Sequence, residues 1–125
     1  MLDSIRRLPD LELEVMQVLW ECPAPVERAQ IEAVLYQRHP MAMTTLLTLL
    51  TRLSDKGFLR IEKAGRRSRY TPLVSREAYL AAQSRTFFQK LCGGSVSTFA
   101  SALCEGGLSR EELAQLRELL ERGEL

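Results

Sequence analysis

Seven cations, Arg52, Lys56, Arg60, Lys63, Arg66, Arg67 and Arg69, stand within 18 residues, against two acids, Asp55 and Glu62. The stretch carries a net +5, on a chain of 125 residues whose total charge is only +1. A concentrated basic segment on an otherwise slightly acidic chain suits a directed anionic partner better than general stickiness. Immediately before it, Thr44, Thr45, Thr48 and Thr51 fall within eight positions. Threonine is a mediocre helix former, so these residues do not serve helix propensity. A solvent-facing helix side is normally rich in Glu and Lys. Short hydroxyls, one apolar Leu47 and Arg52 instead suit close approach to another surface. Hydroxyls bond phosphates or base edges, methyls touch thymine C5, and arginine bonds guanine. The chemistry indicated is nucleic-acid recognition.

Other chemistries are poorly supplied. The three cysteines, Cys22, Cys92 and Cys104, are odd in number, widely spaced and without a C-x-x-C pair, which reads as reduced thiols. With His39 as the single histidine, a tetrahedral zinc site would need every Cys and His in the chain, so neither metal nor cofactor is expected. There is no G-x-S-x-G elbow, and Gly93-Gly94 and Gly106-Gly107 follow helical rather than strand patterns, so no catalytic residues are assigned and no enzyme is expected. Two alternatives keep the same chain organisation. One is a thiol-redox regulator using Cys92 and Cys104, with only Lys90 nearby to lower a thiol pKa. The other is a protein-interaction module, against which the basic segment argues. No apolar run approaches the ~18–20 residues of a membrane span. The opening Met1–Arg7 lacks the pattern of a secretory signal, so a cytoplasmic protein without membrane insertion is expected.

These residues need elements to position them. Pro9, Asp10, Glu12 and Glu14 open a helix over Pro9–Glu21, with Leu11, Val15, Val18 and Leu19 at helical spacing and Pro23 and Pro25 as stops. Pro25-Val26-Glu27 reads as a very short extended stretch. A second helix runs from about Arg28 to Arg38 on Ile31, Val34 and Leu35. The third, Ala42–Asp55, carries Leu46, Leu49, Leu50 and Leu53 on a core-facing line and the threonines opposite, and Gly57 ends it. Phe58–Lys63 alternates like a half-buried strand, Ala64–Arg67 turns, and Ser68–Leu73 returns. Three helices followed by a basic-tipped hairpin is the order of the winged helix-turn-helix, whose third helix enters the major groove. From Ser75 onward, further helices present Tyr79, Leu80, Phe87, Phe88, Leu91, Val96 and Phe99. The last opens on the capping box Ser109–Glu112 and carries Leu113, Leu116, Leu119 and Leu120. The predicted fold is mainly α with a small β-hairpin wing, a winged helix-turn-helix over 1–74 and a helical dimerisation region over 75–125.

Leu8–Glu21 resembles the opening helix of the penicillinase repressor (BlaI/MecI-type) family. Thr44–Leu53 followed by Asp55-Lys56-Gly57 looks like that family's recognition helix and its exit. Gly65-Arg66, Tyr70 and Pro72 are similar to its wing, and Phe87, Leu91 and Gly93-Gly94 to the start of its dimerisation region. The resemblance implies a homodimeric transcriptional repressor on a double-stranded operator with dyad symmetry, released when a membrane sensor-protease triggers its cleavage. The Asn-Phe bond cut in β-lactam-responsive members aligns with Ala102-Leu103, and the chain contains no Asn at all. It also lacks the C-terminal Cys-x-Cys motifs of the copper-responsive members. Thr44, Thr45, Leu47 and Thr48 are assigned to bases, and Arg52, Lys56, Lys63, Arg66 and Arg67 to phosphates. Phe87, Phe88, Leu91, Phe99, Leu113, Leu116 and Leu120 are assigned to the dimer interface.

Overall fold

The computed structural model describes residues 5–123. Met1–Ser4, part of the segment read above for an export signal, lie outside the described residues. The chain divides into two compact units, one up to Gln83 and one from Ser84.

In the first unit, α1 (Asp10–Glu21), α2 (Arg28–Arg38) and α3 (Met43–Asp55) precede a three-stranded antiparallel sheet. Strands β2 (Leu59–Ala64) and β3 (Arg67–Pro72) pair from Leu59–Pro72 to Ala64–Arg67. The short β1 (Val26–Glu27) adds to the other edge of β3, with Val26 opposite Tyr70, so the order is β1-β3-β2. The extended stretch predicted at Pro25–Glu27 is therefore the third strand of the wing sheet.

Helix α1 turns Val15, Met16, Val18 and Leu19 inward, α2 Ile31 and Leu35, and α3 its four leucines. With Val26, Phe58, Leu59 and Tyr70 from the sheet region they form one core. The apolar line predicted for α1 is off by one position at its start. Leu11 is exposed, while Glu12 is buried because Lys56 reaches it from the end of α3, with Nζ 2.6 Å from Glu12 Oε1. Glu27 caps α2 through a reciprocal box with Gln30. At the far end of α2, Arg38 grips Glu21 of α1 through both carboxylate oxygens, one of them at 2.7 Å. That hydrogen bond holds the Glu21 carboxyl below its ordinary pKa and raises that of Arg38.

Helix α4 (Arg76–Thr86) begins inside the first unit. The Tyr79 ring packs on Trp20 at 5.6 Å and edge-on to Phe58 at 5.9 Å. Its hydroxyl accepts the Leu8 N–H at 2.8 Å, while Trp20 Nε1–H donates to the Val74 carbonyl at 2.9 Å. The compact unit thus runs nine residues past the predicted boundary at Val74. Tyr79 and Ala82 belong to its interior, and Tyr79 supplies the acceptor for a buried amide.

In the second unit, a π-helical turn (Phe87–Leu91) follows directly on α4, and Gly93 and Gly94, both at positive φ, reverse the chain. Helix α5 (Val96–Ala102) is capped by Ser95 and runs into a second π turn, Leu103–Gly107. Helix α6 (Arg110–Arg122) opens on the predicted Ser109–Glu112 box, with both reciprocal bonds made. Phe99 sits edge-on to Phe87 and Phe88 at 5.6 and 5.8 Å. No residue of α5 or α6 is fully buried.

Candidate nucleic-acid interface

The outer face of α3 follows from its sequence. Leu46, Leu49, Leu50 and Leu53 occupy the inner line, which leaves Thr44, Leu47, Thr48, Thr51 and Arg52 exposed and Thr45 half-buried. Two hydroxyls are already committed as donors. Thr48 Oγ1 donates to the Thr44 carbonyl at 2.9 Å, and Thr51 Oγ1 to the Leu47 carbonyl at 3.0 Å. Their oxygens keep acceptor capacity. This face therefore offers acceptors, methyls and one guanidinium, with its single acid, Asp55, at the last position of the helix.

The tip of the wing is a two-residue turn, Gly65-Arg66, between the paired ends Ala64 and Arg67. Gly65 has φ +68°, the backbone region that glycine enters at no steric cost, so the hairpin closes in the fewest residues and holds Arg66 at its apex. Arg52, Lys63, Arg66 and Arg69 are exposed and make no ion pair with the described residues. Arg60 lies 3.2 Å from Glu62 on its own strand, and Arg67 reaches Glu27 Oε2 at 3.5 Å.

Between these elements lies an open cleft of about 360 Å³, lined by Leu47 of α3, Arg66, Arg67, Ser68 and Tyr70 of the wing, and Glu27, Arg28, Ala29 and Glu32 of β1 and α2. Of the residues predicted for DNA, Leu47, Arg66 and Arg67 meet in this cleft. Thr44, Thr48 and Arg52 belong to the exposed side of α3, and Lys63 to β2 near the tip.

Lys56 is a correction. Predicted as a phosphate ligand, it is the ion partner of Glu12, whose side chain is only 4% exposed. A buried carboxylate without its cation is costly, so the ammonium stays with Glu12 although a third of the lysine side chain is exposed. Glu27, Arg28 and Glu32 were missed as members of the cleft. Nothing in their spacing distinguishes them from an ordinary solvated helix start, and only the pairing of β1 with β3 brings them beside the wing.

The residues predicted for the dimer interface share the second unit. Phe88, Phe99, Leu113 and Leu116 are half-buried, while Phe87, Leu91 and Leu120 remain exposed in the single chain. All three thiols are free, with Cys92 buried, Cys22 half-buried and Cys104 exposed. Among the described residues no group of three His, Cys, Asp or Glu side chains is placed to hold a metal ion, and no helix is long and apolar enough to cross a membrane.

A family model described as penicillinase repressor matches residues 8–122. The penicillinase repressor of Bacillus licheniformis is 30% identical over 119 residues, which cover 94% of this chain and 92% of the relative. The solution structure of the DNA-binding domain of the repressor BlaI superposes with a TM-score of 0.53 at 33% identity, covering 60% of this chain and 90% of that one. The monomeric form of Bacillus licheniformis BlaI, solved in complex with the blaP half-operator, gives 0.50 with the same identity and coverage. The helix order, the threonine-rich outer side of α3, the basic wing tip and this match over nearly the whole chain agree, and the chain belongs to the penicillinase repressor family.

Proposed function

We propose that this chain is a sequence-specific transcriptional repressor that binds double-stranded operator DNA as a homodimer. The observation that carries the reading is the pairing of a threonine-rich α3 face, whose single acid is Asp55 at the helix end, with a cationic wing tip across one open cleft. Helix α3 enters the major groove, where Thr44, Thr45, Leu47 and Thr48 meet base edges. Arg52, Lys63, Arg66 and Arg67 meet the phosphates on either side, with Arg52 also within reach of a base. Phosphate contacts set register and orientation, and the base edges supply sequence preference. The half-operator complex of the Bacillus licheniformis relative supports DNA as the partner.

The dimer reading rests on apolar surface. A single chain leaves Leu91 76% exposed and Leu120 56% exposed, on helices with no fully buried residue. A second copy is the most direct cover, and a two-fold pair presents two reading helices to an operator with dyad symmetry. Loss of the helical region from Ser84 onward, by proteolysis in the cell, would separate the two reading units and weaken repression without altering the reading surface. The working place of such a repressor is the cytoplasm.

Footprinting the purified protein on the DNA upstream of its own gene tests this reading. A protected stretch with inverted symmetry is the expected result. Binding without sequence preference on that DNA, or none at all, would overturn it.

A further inference from the structure

The cleft between α3 and the wing is not uniformly cationic. Its wall at the start of α2 carries two acids, each already engaged by an arginine. Glu32 is 3.0 Å from Arg28, and Glu27 is 3.5 Å from Arg67. The two members of the second pair differ in freedom. Glu27 is held by strand pairing with Arg69, by capping α2 and by the bond from its own N–H to Gln30 Oε1 at 2.8 Å, and its side chain is 35% exposed. Arg67 projects from the wing with its side chain 79% exposed. The carboxylate is the fixed member and the guanidinium the movable one. Carboxylate and phosphate present the same kind of acceptor to a guanidinium, so a phosphate entering the cleft seeks the partner Glu27 already holds.

Resting on the repressor reading above, we propose that Glu27 is an affinity-setting residue that competes with DNA phosphate for Arg67. With the carboxylate in place, DNA draws Arg67 away from a partner and then sits beside an uncompensated negative charge. Arg66 and Lys63 have no such competitor among the described residues and engage phosphate directly. The arrangement keeps one of the wing's cations conditional and holds the complex below the strength its arginines would otherwise give. A repressor that must leave its operator on demand gains from such a brake.

Glu27→Gln isolates the charge, because the amide oxygen still accepts the α2 cap bond and Gln30 still receives the main-chain N–H. Binding is read by fluorescence anisotropy on two duplexes, the fragment upstream of the protein's own gene and a random sequence, between about 50 and 200 mM salt. Because an exposed ion pair is weak, Glu27→Gln is expected to bind both duplexes about two- to fivefold more tightly. The slope of log affinity against log salt should steepen by up to about one unit as Arg67 becomes a full phosphate ligand. In an Arg67→Ala background the gain should shrink to the small effect of removing a nearby negative charge. Equal or weaker binding by Glu27→Gln overturns the proposal, and so does an unchanged slope or a gain that persists undiminished without Arg67. Failure of the wild-type chain to bind either duplex is a different result, which removes the repressor reading and this proposal with it.

Discussion

Thr48, proposed above to meet a base edge, has only part of its side chain free. Its hydroxyl hydrogen is spent on the Thr44 carbonyl, so what it shows outward is an oxygen acceptor and a methyl group. Thr48→Ala removes both, and we expect a loss of roughly 1–3 kcal/mol on the operator with little change on random DNA, because base contacts specify. Equal losses on both duplexes would make Thr48 a backbone contact instead. Arg66 is the opposite case, a cation at the turn of a hairpin with no ion partner among the described residues. Arg66→Ala should weaken binding to any duplex and flatten the salt slope by about one unit, and an unchanged slope would reduce the wing tip to a solvated turn. The Glu21–Arg38 pair governs stability rather than binding. Arg38 lowers the folded-state pKa of Glu21, so the contribution is present above the ordinary value of 4.5 and is lost as pH falls through the lowered one. The melting-temperature gap between wild type and Glu21→Gln should therefore be small and present at neutral pH and should close in acid. A gap that persists unchanged in acid would show that the charge is not its cause.

The elements were legible in proportion to how local their causes are. The four-leucine line of α3, the Ser109 box of α6 and the alternation around Ile61 each lie within a few residues, and each gave the element observed. Glu12 and Lys56 are 44 residues apart, and no pattern near either marks a buried pair. An acid in the first turn of a helix has a sufficient local explanation in the helix dipole, and a lysine just after α3 has one in DNA, so both local rules pointed outward. Tyr79 was misplaced for the same reason, since its hydrogen-bond partner Leu8 lies 71 positions away. Lys56→Met should strand the Glu12 carboxylate and cost about 2–3 kcal/mol, less than for a fully buried pair because a third of the lysine is exposed. Adding Glu12→Leu should recover much of that loss. A single variant as stable as wild type in chemical denaturation would show that the pair carries no weight.

Across the whole molecule, the first unit closes only when α4 has entered it. A fragment of residues 1–83 keeps the Tyr79 hydroxyl on the Leu8 amide, whereas 1–74 leaves that buried N–H without a partner, at a cost of about 1–3 kcal/mol for the hydrogen bond alone. We expect 1–83 to fold, to sediment as a monomer and to melt well above 1–74. Its operator affinity should fall sharply against the full chain, because the second half-site is no longer delivered at high effective concentration. A 1–83 fragment that remains dimeric, or that binds the operator as tightly as the full chain, would place self-association outside the C-terminal helices.

The two stripes of α3 divide labour so completely that folding and address are written in separate letters. Leu46, Leu49, Leu50 and Leu53 answer to the core, while Thr44, Leu47, Thr48 and Thr51 are exposed. Selection acting on the outer letters therefore meets almost no resistance from stability, and threonine leaves room for better helix formers. If this face reads an operator as proposed, a lineage of such proteins can drift from one operator to another by single steps, each intermediate remaining folded. The same freedom is open to an engineer who wants several copies in one cell, each silent at the others' promoters.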